Sequence, residues 1–209
     1  MRYRSYPRYN RNTVFLIIGI NLLIFIIANI VVKLIDIDAY VRFLGMFGLR
    51  PWVFFSQPWT IVTNLFLHGS FWHLFGNMLT LFFFGTYLAT LIGTTRFLIV
   101  YFGGGILGNI LLLLLAPFFP FTVAIGASGA IFTLGGTLAV MRPRLRVFIF
   151  PIPVPIPLWA AVIGGFVIIG VLIPAAIPSV IAWQAHLGGL IFGLIAGTLF
   201  RRKERASFY

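Results

Sequence analysis

A small set of polar residues sits in or beside long apolar runs: His68, His73, Asn77, Ser128 and His186. A serine hydroxyl is a weak nucleophile at neutral pH and needs an adjacent base. Histidine is such a base, and it can later return the proton to a departing amine. The oxyanion formed on attack needs donors, and backbone N–H groups at a helix start suit it, as do histidine and asparagine side chains. The chain therefore holds the parts for acyl transfer: Ser128 as nucleophile, His186 as base, and His73, Asn77 and the Ser128 N–H around the oxyanion. A third, acidic member is missing. The acids are Asp36, Asp38 and Glu204, all outside the apolar runs. The machinery is expected to be a Ser–His dyad whose imidazole is oriented by packing or by another hydrogen bond.

The elements that must carry these residues follow from composition. Hydrophobic residues make up 61% of the 209-residue chain and charged residues 9%, against about 25% charged in a soluble domain. The apolar runs reach the ~20 residues that a bilayer-spanning helix needs. They predict an all-α, polytopic six-helix bundle with helices at about 13–32, 70–92, 96–115, 126–141, 158–173 and 181–200. The first run is followed by no small-residue cleavage site, so it reads as a span and not as a signal peptide. With no cysteine, disulfides, thiolate metal sites and a cysteine nucleophile are excluded.

The formal charge of +12 points to topology, not to nucleic acid, because the basic residues lie between apolar runs. With the N-terminus inside, twelve Lys and Arg fall on inner segments and three (Lys33, Arg42, Arg50) on outer ones. That asymmetry places both termini in the cytoplasm. The expected organisation is a basic cytoplasmic segment at 1–12, a membrane domain at 13–200 and a basic cytoplasmic tail at 201–209. The outer loop 33–69 is rich in aromatic residues, among them Tyr40, Phe43, Trp52, Phe55 and Trp59. It is expected to lie partly in the outer headgroup layer. The proline run at 150–157 cannot be regular helix.

Depth is arithmetic. Ser128 precedes Arg142 by fourteen residues and His186 precedes Arg201 by fifteen, or roughly 21–23 Å of helix. His73 precedes Thr90 by seventeen residues, or about 25 Å. The three side chains therefore share one level, below the outer surface. His73 and Asn77 share a helix face at i, i+4. Ala185, Gly189, Gly193 and Gly197 form a small-residue stripe beside His186, of the kind that lets membrane helices approach closely. The fourth helix offers Ser128, Phe132, Gly135 and Ala139 as one face, and packing the sixth helix on it would bring His186 to Ser128. Asn21, Asn29, Asn109 and Gln184 are expected to serve as interhelical hydrogen-bond groups, and the helix with Gly103, Gly104, Gly105 and Gly108 to be central.

These residues resemble the motifs of rhomboid proteases. Gly126-Ala127-Ser128-Gly129 matches G-x-S-G, His73 to Asn77 matches H-x-x-x-N, and Ala185-His186-Leu187-Gly188-Gly189 with Gly193 matches A-H-x-x-G-x-x-x-G. His68 matches a frequent family histidine. The resemblance covers about 59–200. It implies Ser128 and His186 as catalytic residues, with His73, Asn77 and the Ser128 N–H as oxyanion donors. His68, Phe132, Gly126 and Gly129 would line the site, and no cofactor or metal is implied. It also implies a multi-pass cell-membrane protein whose active site opens to the extracytoplasmic side. Its partners would be membrane lipids and substrates with single transmembrane helices, which enter sideways and are cut near the outer face. Two departures stand out. Trp59-Thr60 replaces a Trp-Arg pair, so an arginine brace in the first loop is absent or supplied elsewhere. Phe132 replaces a tyrosine, which keeps ring stacking on the imidazole but loses the hydroxyl.

Other functions fit less well. A metal site built on His68, His73 and His186 would lack acidic ligands, and no H-E-x-x-H occurs. Aspartyl chemistry would need two buried aspartates. A small transporter would show repeat symmetry. The alternative that stays is a non-catalytic, rhomboid-like factor that binds membrane clients, although such proteins lose the Ser or the His that this chain keeps. Among the single residues, Ser128 could be a packing residue, His73 and Asn77 interhelical hydrogen-bond groups, and His68 an interfacial histidine.

Overall fold

The computed structural model describes residues 9–119, 123–149, 153–173 and 181–206. Most of the basic N-terminal segment, the 174–180 turn, part of the proline run and the end of the tail lie outside the described residues. The helices are α1 (Asn12–Val32), α2 (Ile37–Phe47), α3 (Phe71–Ile92), α4 (Thr94–Leu115), α5 (Ser128–Met141), α6 (Leu158–Leu172) and α7 (Trp183–Ala206). α1, α3, α4 and the apolar part of α7 are long and apolar enough to cross a membrane, and α5 and α6 are shorter apolar helices. The chain is a multi-pass membrane protein.

Local chemistry sets the boundaries. Ser70 caps α3 by accepting from the His73 N–H at 3.2 Å, so the helix starts at Phe71. Asp36 caps α2 by accepting from the Asp38 N–H at 2.8 Å. Both satisfy first-turn amides that have no intrahelical partner. The amides of Ala39 and Asp38, with Arg42 beyond them, hold the Asp36 carboxyl below the usual carboxylate range. Gly93 separates α3 from α4 at φ +83°, a conformation that favours glycine. The proline run is non-helical as expected in its described part. Ile156–Pro157 pairs antiparallel with Arg146–Val147, and α6 begins after it. Widened π-helical turns occur at Ile26–Val32, Leu81–Gly85 and Ile168–Leu172, a feature the hydropathy pattern does not carry.

α4, α5 and α7 form the centre. α5 is buried along most of its length, with Phe132 and Val140 half-buried, as a helix that is apolar all round should be. α1 is the opposite case, with Leu16, Leu23, Ile27 and Ile30 exposed as a lipid-facing edge would be. The expected stripe on α7 is the contact surface. A side chain at Gly189 would strike the Gly129 carbonyl, one at Gly193 the Thr133 carbonyl, and one at Gly197 would come within 2.7 Å of the Thr137 carbonyl. Gly104 lies on Thr133 and Gly108 on the Ala185 carbonyl, so α4 is central as its glycines suggest.

The partner face on α5 differs from the expected one. α7 packs along Gly129, Thr133, Gly136 and Thr137, whereas Gly135 faces Val162 of α6. Threonine hydroxyls explain the rotation. Thr133 Oγ1 donates at 3.0 Å to the Gly129 carbonyl and at 2.9 Å to the Gly189 carbonyl. Thr137 Oγ1 does the same to Thr133 (2.8 Å) and Gly193 (3.1 Å). Polar groups buried between helices need partners, and these find them on α7. Asn21 departs from its expected role, since its amide donates to Ile17 of its own helix at 2.8 Å.

Gly189→Ala should therefore destabilise the bundle by ~1–3 kcal/mol or more, because its methyl meets backbone that cannot swing away. Gly164, with nothing within 4 Å of an added Cβ, should tolerate alanine with no loss. Thermal unfolding midpoints in detergent, compared for the two variants, check this contrast.

Candidate active site

Ser128 is the first residue of α5, and His186 lies in the first turn of α7. The close packing of those helices leaves Ser128 Oγ 2.6 Å from His186 Nε2. The imidazole is buried, at 4% exposure. Phe132, one turn beyond Ser128, lies against it with ring centroids 4.9 Å apart and planes at 34°. The second nitrogen, Nδ1, is buried without a hydrogen-bond partner among the described residues. The ring is therefore held by packing and by Ser128, and no acid touches it among the described residues.

The chain reaches Ser128 through a short extended segment. Leu49 and Ala124 exchange backbone hydrogen bonds (3.0 and 2.8 Å) as an isolated antiparallel bridge. The Gly126 N–H then donates to the Asn64 carbonyl at 2.9 Å. Asn64 is locked to Asn109 of α4 by reciprocal amide bonds of 3.2 and 2.8 Å, and Asn109 also donates to the Ile61 carbonyl. Asn109 thus works as a hydrogen-bond group between elements, as expected, but its partner Asn64 is a site-building residue that sequence reasoning missed. Its signal was weak, since Asn64 lies outside the apolar runs, in a short helical turn at Asn64–Phe66. Gly126 adopts φ +118°, which turns the chain into α5, so the helix starts two residues later than hydropathy suggested. At Gly126 an added Cβ would lie 2.7 Å from His73 Cε1 and Nε2 and 3.8 Å from Ser128 Oγ. His73 is thereby placed beside the serine, with its Nε2 edge turned to the start of α5. The amides of that first turn have no intrahelical partners.

Asn77 is buried on the same face of α3, and its amide donates to the His73 carbonyl at 2.7 Å. One N–H of that amide is used there and the other is left. His68 packs edge-on to His73 with centroids 4.9 Å apart, so it belongs to the cluster and not to the surface. Gly129 contacts Ala185 of α7 and serves helix approach. Among the described residues, Gln184 makes a long contact, at 3.4 Å, to the Phe119 carbonyl.

The loop at 33–69, expected on the outer side, is structured. Trp59 Nε1 donates to the Met46 carbonyl (2.9 Å) and Thr63 Oγ1 to the Phe47 carbonyl (2.7 Å). Of the two arginines in the loop, Arg42 pairs with Asp36 at 3.1 Å, and Arg50 donates to Gln57 Oε1 at 3.2 Å and lies under Gly45.

A family model described as the rhomboid domain matches residues 56–203. The chain is 29% identical over 203 residues to the mitochondrial rhomboid protein 1 of Saccharomyces cerevisiae, covering 93% of this chain and 54% of that protein. It is 35% identical over 154 residues to the putative rhomboid protease YdcA of Bacillus subtilis, covering 72% of this chain and 71% of the relative. Rhomboid protease GluP of the same organism is 30% identical over 157 residues, 73% of this chain and 28% of the relative. The chain thus spans about half the length of the yeast relative.

Gly126→Ala tests the geometry at the serine. It strains a left-handed backbone and pushes a methyl into the His73 ring. Labelling of Ser128 by a fluorophosphonate should fall by ~100-fold, the scale of a 1 Å misplacement, while the protein still purifies as a folded species. Labelling at the wild-type rate would show that the turn does not govern the serine.

Proposed function

The chain belongs to the rhomboid family, and from that premise we propose that it is an intramembrane serine endopeptidase. The observation that carries this is the 2.6 Å contact between Ser128 Oγ and a buried His186 Nε2. Nε2 accepts the hydroxyl proton as Oγ attacks the scissile carbonyl carbon. The new C–O bond forms, and the carbonyl electrons move to oxygen. The amides of Ser128 and its first helical turn, the His73 Nε2–H and the spare Asn77 N–H stabilise that oxyanion. Collapse breaks the C–N bond, and the leaving amine takes the proton from His186. Water then attacks the acyl-serine with His186 again as base, releasing the new carboxyl end and restoring Ser128. Phe132 and the surrounding helices orient the imidazole in place of an acid.

In this proposal α5 and α6 also cross the membrane, giving six spans with both termini in the cytoplasm. The excess of basic residues on inner segments supports that orientation. The α5 axis is about 21 Å long, and the extended lead at 123–126 adds to its reach. Ser128 then faces the outer leaflet, and water enters from that side. The outer loop borders the opening and is the place for a gate. Substrates are single transmembrane helices held in lipid. A helix hides its carbonyls in its own hydrogen bonds, so the substrate must unwind locally. Helix-breaking Gly or Pro near its outer end speeds cutting.

Ser128→Ala and His186→Ala should each abolish cleavage of a tagged single-span protein in liposomes, and the double variant should be little worse than either. Full activity in either single variant would remove the dyad. If the chain instead binds clients without catalysis, fluorophosphonate labelling of Ser128 will be absent in the wild type. Asn77→Ala should slow turnover by about 2.7 kcal/mol, the lower end for an oxyanion donor, because backbone amides and His73 remain.

Mapping the cut by mass spectrometry checks the orientation. The expected bond lies in the outer half of the substrate span, and a bond in the cytoplasmic half would contradict it.

A further inference from the structure

His68 has no role in the chemistry above, yet it is 1% exposed and both its ring nitrogens are buried without a hydrogen-bond partner among the described residues. The Phe66 backbone approaches the ring without reaching hydrogen-bond geometry. Buried polar atoms normally find partners, and an orphan calls for an explanation. The ring is not loose. Asn29 Nδ2 donates to the His68 carbonyl at 2.9 Å, and Tyr40 Oη donates to Asn29 Oδ1 at 3.0 Å. α1 and the loop helix α2 therefore pin the residue that holds this imidazole against His73, 4.9 Å away.

The two histidines beside Ser128 have opposite requirements. His186 Nε2 must be bare to accept the Ser128 proton, so its proton sits on Nδ1. His73 turns Nε2 and Cε1 toward Gly126 and Ser128. It stabilises an oxyanion only if Nε2 carries the proton and Nδ1 is bare. In a neutral imidazole the tautomer is set by the hydrogen bond that the other nitrogen makes. The Gly126 side meets Nε2 and Cε1, and no hydrogen bond to Nδ1 is formed among the described residues. The polar group packed on the ring is His68.

We propose that His68 is the positioning residue for His73: through one water, it provides the hydrogen bond to Nδ1 that keeps the proton on Nε2. This rests on the protease reading above. Asn29 and Tyr40 extend the same support to the outer loop, so the oxyanion side of the site is tied to the amphipathic helix α2.

The chain has three histidines, all in this cluster, so histidine-labelled ¹⁵N spectra of the full chain in detergent are assignable with single-site variants. The wild type should show His73 as the Nε2–H tautomer and His186 as the Nδ1–H tautomer. His68→Phe keeps the ring volume and removes both nitrogens. It should give His73 a mixed tautomer signal and lower kcat about tenfold with KM unchanged, less than the loss of a whole donor. His68→Gln, which keeps hydrogen-bonding atoms, should recover most of the rate. A wild-type His73 found as the Nδ1–H tautomer would overturn the proposal, even if His68→Phe failed to fold. An unchanged His73 signal and kcat in His68→Phe would also overturn it. Failure of the protease reading shows separately, as cleavage that persists in Ser128→Ala.

Discussion

Everything at the centre depends on how closely α7 approaches α5. Lipid tails are as apolar as leucine side chains, so helices in a bilayer gain little by burying apolar surface on one another. Van der Waals contact and hydrogen bonds must hold them instead. Gly189, Gly193 and Gly197 bring the α7 backbone onto the carbonyls of Gly129, Thr133 and Thr137. Thr133 and Thr137 then donate across the gap to the Gly189 and Gly193 carbonyls. A contact this tight has one register. That register sets the 2.6 Å separation of Ser128 and His186 at the start of both helices, and a slip of one helical turn would move His186 by about 5.4 Å.

A second constraint acts on the chain entering α5. A serine at the first position of a helix needs its approach held, or the hydroxyl and the first-turn amides will not aim at one point. The Leu49–Ala124 bridge and the Asn64 carbonyl fix the strand side, and Gly126 makes the turn. Asn109 ties Asn64 to α4, the helix that also packs on α5 and α7. The serine is therefore located by three separate parts of the chain, and His73 closes the remaining side.

The loop at 33–69 joins this arrangement through Asn64, which holds Gly126, and His68, which packs on His73. Asp36 caps α2 and pairs with Arg42 at 3.1 Å, an exposed ion pair of a kind worth little in stability. The firmer ties are polar contacts to backbone: Trp59 to Met46, Thr63 to Phe47 and Asn29 to His68. Between α1, α2 and the loop lies an apolar cavity of about 310 Å³, lined by Ile24, Ile27, Phe43, Phe47, Thr63, Phe66 and Leu67. The loop is thus packed as part of the bundle's edge and still exposes Trp52 and Phe55 outward.

Sequence alone determined the six apolar helical runs to within a few residues (except the end of α7, which runs on to Ala206), the meeting of His73, Ser128 and His186, the stripe on α7 and the lack of an acid beside the histidines among the described residues. The reason is physical. In a chain whose helices are almost wholly apolar, each polar side chain stands out, and helical rise converts residue counts into depth. Tertiary structure decided which face of α5 meets α7: Phe132 lies on His186 as expected, but Gly129, Thr133, Gly136 and Thr137 carry the contact and Gly135 turns to Val162 of α6. It also decided that Asn64 pairs with Asn109, that Ala124 bridges to Leu49, that Gly126 lies outside the helix and that Arg50 reaches Gln57. These depend on the rotation of each helix about its axis and on contacts between residues far apart in the chain. When apolar residues surround a helix on all sides, no periodicity marks the face that packs, and the choice is left to the fit of backbone against glycine and to hydroxyls that must find a carbonyl.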